Sequence, residues 1–237
     1  MNVLWHWTLQ KPGPNSPNIM QDQFAVTTQP GSHGVQVYVS PEEVTVRTMR
    51  ADDCDFAGRL LIDGFKEKFV HAIGAGNLEL ARRASAADHR MYGNKYDRIF
   101  IAEFEGRRAG VMELKFYGNS EGSSSDHWDA LGCCTGCRLM WMASFMTENV
   151  DRGYVYLDHI AVDETFRGKG VGKALMVVAD QQGRARQCHT IFLWVASDNR
   201  ARNLYERQGY KTTLTRSGCC ISCAIGRRSF DKMEKTL

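Results

Sequence analysis

The residues most suited to chemistry are six in a row, Arg167-Gly168-Lys169-Gly170-Val171-Gly172. Alternate glycines remove side chains from one stretch of backbone, so main-chain N–H groups can converge on an anion. Downstream, Val171, Ala174, Leu175, Val178 and Ala179 recur at helical spacing. The glycines therefore open a helix, whose N-terminus favours negative charge. This is the chemistry of a phosphate cradle. Two common cradles are excluded by spacing. The dinucleotide fingerprint needs Gly-x-Gly-x-x-Gly, and here the third glycine comes one residue early. The nucleotide P-loop needs a hydroxyl after Gly-Lys, and Gly172-Lys173 is followed by Ala174.

The elements that must hold this loop are legible on both sides. Tyr154–Val162 (YVYLDHIAV) reads as a strand entering it, and Thr190–Ala196 as a strand after the helix. Asn199, Ala201, Leu204-Tyr205 and Gly209-Tyr210 follow in order. Taken together, the Arg-x-x-Gly-x-Gly turn, its flanking strands and this closing pattern resemble the GNAT acyltransferases. The resemblance covers about residues 43–118 and 151–237 and is thin over 1–42 and 119–150.

The resemblance implies an α/β (α+β) fold, a mixed and mostly antiparallel twisted sheet with helices on both faces. A splay between the family's fourth and fifth strands would admit the cofactor. It implies N-acetyl transfer from acetyl-CoA to a primary amine by direct attack. Cofactor binding would fall to Arg167, Gly168, Lys169, Gly170, Val171, Gly172 and Lys173 around the pyrophosphate. Ile160, Ala161 and Val162 would pair through backbone groups with the pantetheine arm, and Asn199 and Tyr205 would complete the site. Tyr205 takes the family's general-acid position, a phenol suited to protonating a leaving thiolate. For the base, the resemblance points two or four positions before the Ile-Ala-Val triplet, which makes Asp158 the candidate, acting directly or through water. A strict two-residue alternation puts Tyr156, Asp158, Ile160 and Val162 on one face and His159 on the other. Asp158 could equally serve by binding the substrate's cation. Glu103 and Glu113 are further acceptor-side candidates.

Two segments fall outside the resemblance. Gly132-Cys133-Cys134-Thr135-Gly136-Cys137 and Gly218-Cys219-Cys220-Ile221-Ser222-Cys223 share one pattern and hold six of the eight cysteines. Each contains a Cys-x-x-Cys, the spacing of a thiolate clip. A joint zinc site of Cys134, Cys137, Cys220 and Cys223 is one reading. A redox disulfide is another, and simple packing of small apolar side chains a third. Cys54 and Cys188 are isolated and read as core. The run Leu139 to Phe145 reads as a buried helix, with an acceptor pocket or partner surface as the alternative.

Composition sets outer bounds. A net charge of +3 is too small to argue for nucleic acid or a membrane surface. No run of eighteen apolar residues occurs, and the N-terminus lacks a secretory leader, so a cytoplasmic location is expected. All five prolines lie within residues 1–42, which read as a disordered or loosely attached tail. Residues 43–237 form the expected transferase domain, with a helical insert at about 119–150 and a loop over 119–127. Leu61, Phe65, Phe69 and Ile73 give one apolar stripe on a helix after Asp52 or Asp53, and the cofactor half is compatible with a homodimer. The competing functions are a CoA-binding sensor without turnover and a metal-stabilised interaction protein on the same scaffold.

Overall fold

The computed structural model describes residues 26–30, 35–39, 44–91, 93–119, 128 and 131–237, with backbone alone for the first two segments and for 93–95. Nine strands form one sheet in the order β1-β2-β3-β4-β5-β6-β7-β9-β8. They are β1 (Val26–Pro30), β2 (Val35–Val39), β3 (Val44–Thr48), β4 (Ile99–Phe104), β5 (Arg107–Phe116), β6 (Tyr154–Val162), β7 (Thr190–Ala196), β8 (Lys211–Ser217) and β9 (Ser229–Thr236). Every pairing is antiparallel except β6 with β7.

Helix α5 (Val171–Ala185) crosses one face of this sheet. Its Val171, Ala174, Leu175 and Val178 pack with Val46, Phe100, Met112, Leu114 and Leu157. Helix α1 (Cys54–Gly64) covers the other face, where Ala57 and Leu60 meet Ile101, Val111 and Ala161. Helix α3 (Leu78–Met91) backs α1. A buried ionic joint ties the start of α1 to the sheet. Asp53, fully buried, accepts from Arg47 of β3 at 2.7 Å and from Arg108 of β5 at 2.7 Å. Burial alone would raise its carboxyl pKa. Hydrogen bonds from Arg47 and the Arg50 amide outweigh burial and hold it below its ordinary value. Its side chain therefore serves this joint and does not cap α1.

Three sequence expectations change here. The single stripe from Leu61 to Ile73 is two helices, α1 and α2 (Lys66–Ile73), broken at Phe65 with φ −115° and ψ 22°. The halves have different partners. α1 lies on β5 and β6, whereas α2 leaves the sheet to pack on α4 (Cys133–Met146) and α7 (Cys219–Ile225). Within the expected tail, β1 and β2 pair with each other and extend the sheet from β3. The alternating valines at 35, 37 and 39 are the signal for it. The rest of 1–42 and the loop at 120–127 lie outside the described residues. Third, α4 is only half covered. Met142 is buried, but Met140 and Trp141 are 71% and 44% exposed. Within the expected insert, α4 is the helix described. Among the described residues, no helix is long and apolar enough to cross a membrane.

Candidate active site

The parallel ladder between β6 and β7 holds only three register pairs, ending at Tyr156 with Phe192. Beyond it the strands part. A cleft of about 1640 Å³ opens there, lined by Leu157–Val162, the turn before α5, the segment Ala196–Tyr205 and the first residues of α2. The splay leaves the β7-facing edge of Ile160, Ala161 and Val162 without a strand neighbour, so an extended arm can pair with it.

At one end of the cleft lies the glycine turn. Gly168 and Gly170 have φ of +78° and +82°, the left-handed region where a side chain is strained. A Cβ on either would meet no atom, so the requirement there is conformational. The first helical amide with a partner here is Ala174, bonded to the Gly170 carbonyl at 2.9 Å. The amides of Val171 and Gly172 precede it in the first turn of α5, where a helix offers its N–H groups no helical acceptor. Gly172 instead sits where a Cβ would come within 3.2 Å of Leu204. Arg167, Gly168, Gly170, Val171, Gly172 and Lys173 all line the cleft. Lys169 does not. Its ammonium lies over the Phe104 and Phe166 rings at 4.8 and 5.5 Å, so only its main chain can serve the loop. Arg200 and Arg207 add two cations to this end, a contribution that the motif did not reveal.

Tyr205, on α6 (Arg202–Arg207), is buried and lines the cleft. Burial pushes its phenol up to about 12, so it is protonated at neutral pH. Asn199 lines the cleft too, while its Oδ1 accepts from the Ala201 amide at 2.9 Å and stiffens the turn into α6.

The alternation expected along β6 fails. Register with β5 shifts between Glu113 and Leu114, pairing His159 with Glu113 and Leu157 with Leu114, so Asp158 is an extra residue. A bulge of this kind turns two successive side chains toward one side. Ile160, Val162 and Leu157 go to the α5 core, while Asp158 and His159 contact each other, Nδ1 to Oδ2 at 3.1 Å. Asp158 also holds Lys115 Nζ at 2.8 Å. Burial would raise the Asp158 carboxyl pKa. His159 and Lys115 outweigh burial and keep it well below the usual carboxylate range. Asp158 is thus a fixed negative charge and a weak proton acceptor. Behind it, His159 is 3.8 Å from Glu113, and Arg98 is 3.7 Å from the same carboxylate. Glu103 belongs to the joint with Arg47, at 2.7 Å, away from this cluster.

Glu113, Asp158 and His159 are the only described residues whose metal-ligating atoms gather in a group of three within 4.8 Å. Arg98 and Lys115 already supply countercharge there, so the group needs no ion. The cysteines do not fit the expected zinc site. Cys134, Cys137, Cys220 and Cys223 are exposed free thiols at the starts of two helices and form no common ligand set. α4 and α7 do pack together, but through Leu139, Met142, Ile221 and Ala224 rather than through sulfur. Cys54 is buried as expected, and Cys188 is half-buried.

This arrangement, a splayed strand pair with a glycine turn and helix start at one end and a buried phenol between, defines an acyl-carrier transferase class. Residues 70–210 match the family model described as acetyltransferase (GNAT) family, and the chain belongs to that family. Solved structures share the fold. Ard1 from Thermoplasma volcanium is 18% identical with a TM-score of 0.51, covering 82% of this chain and 98% of its own. The PaiA N-acetyltransferase from Thermoplasma acidophilum, in complex with coenzyme A, is 13% identical with a TM-score of 0.53, covering 82% and 99%. YncA, a putative acetyltransferase from Salmonella typhimurium with its cofactor acetyl-CoA, is 14% identical with a TM-score of 0.51, covering 82% and 94%. No curated protein matches this chain.

Proposed function

We propose that this chain transfers the acetyl group of acetyl-CoA to a primary amine by direct attack, with no covalent enzyme intermediate. The observation that carries the reading is the open edge of β6 running into the helix-start amides of α5. Acetyl-CoA would supply an activated acyl group. Gly168 to Lys173, with Arg167, would hold its pyrophosphate mainly through main-chain donors. Ile160, Ala161 and Val162 would pair with the pantetheine arm, and a strand N–H there would polarise the thioester carbonyl. Asn199 would bind the cofactor while fixing the turn before α6.

Tyr205 would donate a proton to the departing thiolate, a role that its retained phenolic proton permits. Asp158, ionised at neutral pH, would draw the acceptor's ammonium into the cleft and orient it. The ammonium would release one proton to water to become the attacking amine, and the second proton that nitrogen loses as the C–S bond breaks would replace, through solvent, the one Tyr205 gives to the thiolate. The catalytic unit would be residues 43–237, with α4 part of an insert beside the acceptor end.

A Tyr205→Phe variant tests the assignment. It should lose about 10²–10⁴-fold in kcat and keep its calorimetric affinity for acetyl-CoA. Full turnover in this variant would refute the acid role. Mixing acetyl-CoA with enzyme before any amine is added should leave the protein's mass unchanged. An acetylated cysteine on the route to product would replace direct attack with a two-step path.

A further inference from the structure

The cleft contains a cation with no ion-pair partner among the described residues. Lys68, on α2, lines the cleft and is half-buried. Its ammonium lies over the rings of Phe65 and Phe230, at 4.7 and 5.2 Å. Among the described residues, no carboxylate stands within ion-pair distance of it. Its neighbours in the cleft are provided for. Arg216 pairs with Glu148 at 2.7 Å, and Arg227 with Asp198 at 2.8 Å and with Glu67. Two aromatic faces do not replace the water lost when an ammonium is enclosed. A desolvated cation in a ligand cleft is therefore best completed by an anion on the ligand.

The same region contains the opposite charge, since Asp158 is the anion whose field reaches Lys68. The cleft that both line is also lined by the apolar side chains of Phe65, Phe145, Ile225, Trp194 and Phe230. Asp158 already holds Lys115 at 2.8 Å, so an acceptor's amine would share that carboxylate, and an amine-only acceptor would leave Lys68 without an anion. A molecule with an amine, a carboxylate and an apolar body meets both charged groups and the apolar lining of the cleft.

We propose that the acceptor is a free amino acid with an aromatic or large aliphatic side chain, its amine drawn to Asp158 and its carboxylate to Lys68. The inference rests on the transferase reading above and goes further by naming the substrate class.

The test compares phenylalanine with phenethylamine, which differ only in the carboxylate, by following free CoA thiol. Wild type should favour phenylalanine about 10–100-fold in kcat/KM, the range for a hydrogen bond to a charged group. Lys68→Met should bring phenylalanine down to the level of phenethylamine, mainly through KM, and Lys68→Arg should recover most of the preference. Calorimetry with N-acetylphenylalanine gives a readout without turnover: binding should be measurable in wild type and lost in Lys68→Met. Acetyl-CoA titration of each variant shows that the cofactor half is still folded. Equal use of both amines by wild type would overturn the inference and leave the transferase reading standing. So would a preference that survives Lys68→Met, or turnover confined to peptides. Absence of thiol release with every amine and peptide would remove the transferase reading, and this inference with it.

Discussion

Lys68 destabilises the protein where it stands. Enclosure pulls its ammonium from an ordinary lysine value down to about 8, and the attraction of Asp158 restores only part of the loss. The sign follows from linkage. A base whose folded pKa is depressed carries its full penalty below the folded value, and the penalty fades as pH rises toward the unfolded one. Lys68→Met should therefore stabilise the fold at pH 7 by about 1–3 kcal/mol, with the gain shrinking between pH 8 and pH 10. Thermal melts across that range check it, and a destabilised variant at pH 7 would show that the ammonium is better satisfied than its surroundings suggest. Binding should run in the same window. The charged groups near Lys68 are Asp158 on β6 and Lys66 and Glu67 on its own helix, while Phe230 from β9 is neutral. As pH rises through about 8, Lys68 loses its charge, and N-acetylphenylalanine should bind more weakly. Tolerating such a group at a ligand cleft is a known exchange of stability for function.

The glycine turn and the bulge differ in how far each could be read from the chain. The turn was legible because its requirement is local. Gly168 and Gly170 need positive φ, and the periodic helix begins at the next residue. Gly170→Val should accordingly cost about 1–2 kcal/mol of stability from backbone strain and weaken acetyl-CoA binding at least about tenfold through misdirected amides. Calorimetry reads the second effect, and unchanged affinity would mean that this turn does not grip the diphosphate. The bulge at Asp158 left no mark in the sequence. Inserting one residue between paired strands changes neither residue type nor spacing within β6, so strict alternation grouped Asp158 with Ile160 and Val162 and parted it from His159. The break at Phe65 was hidden for a related reason. A four-residue stripe reports periodicity, but not that its two halves find different partners, the sheet for α1 and the α4–α7 pair for α2. The cysteine repeats show the converse, a conspicuous spacing whose thiols meet within a repeat, as Cys219 and Cys220 do at 3.9 Å, but gather no group of three ligands.

At the scale of the whole molecule, the strand order separates support from function. The cleft opens between β6 and β7, and the hairpin β1–β2 lies at the far edge, separated from β6 by the three strands β5, β4 and β3. The hairpin escaped the sequence reading because proline, asparagine and glutamine dominate the surrounding composition, and they outweighed the short valine alternation. It meets β3 through only three register pairs, Val37 to Val46, Tyr38 to Thr45 and Val39 to Val44. Val44 and Val46 are nonetheless buried by α5 on the sheet's inner face, so β3 has a core of its own without the hairpin. Removing residues 1–43 should then leave acetyl-CoA affinity and kcat within about twofold, since the cleft opens between β6 and β7 and β5, β4 and β3 stand between it and the hairpin. The free edge of β3 would be the weak point, an exposed row of unpaired N–H and C=O groups that invites association between copies. Light scattering should show the truncated protein aggregating at lower concentration than the full chain, with activity per folded molecule retained. A truncated protein that stays monomeric but loses acetyl-CoA binding would place the hairpin, and the segment before it, in the functional unit and move the proposed domain boundary toward the N-terminus.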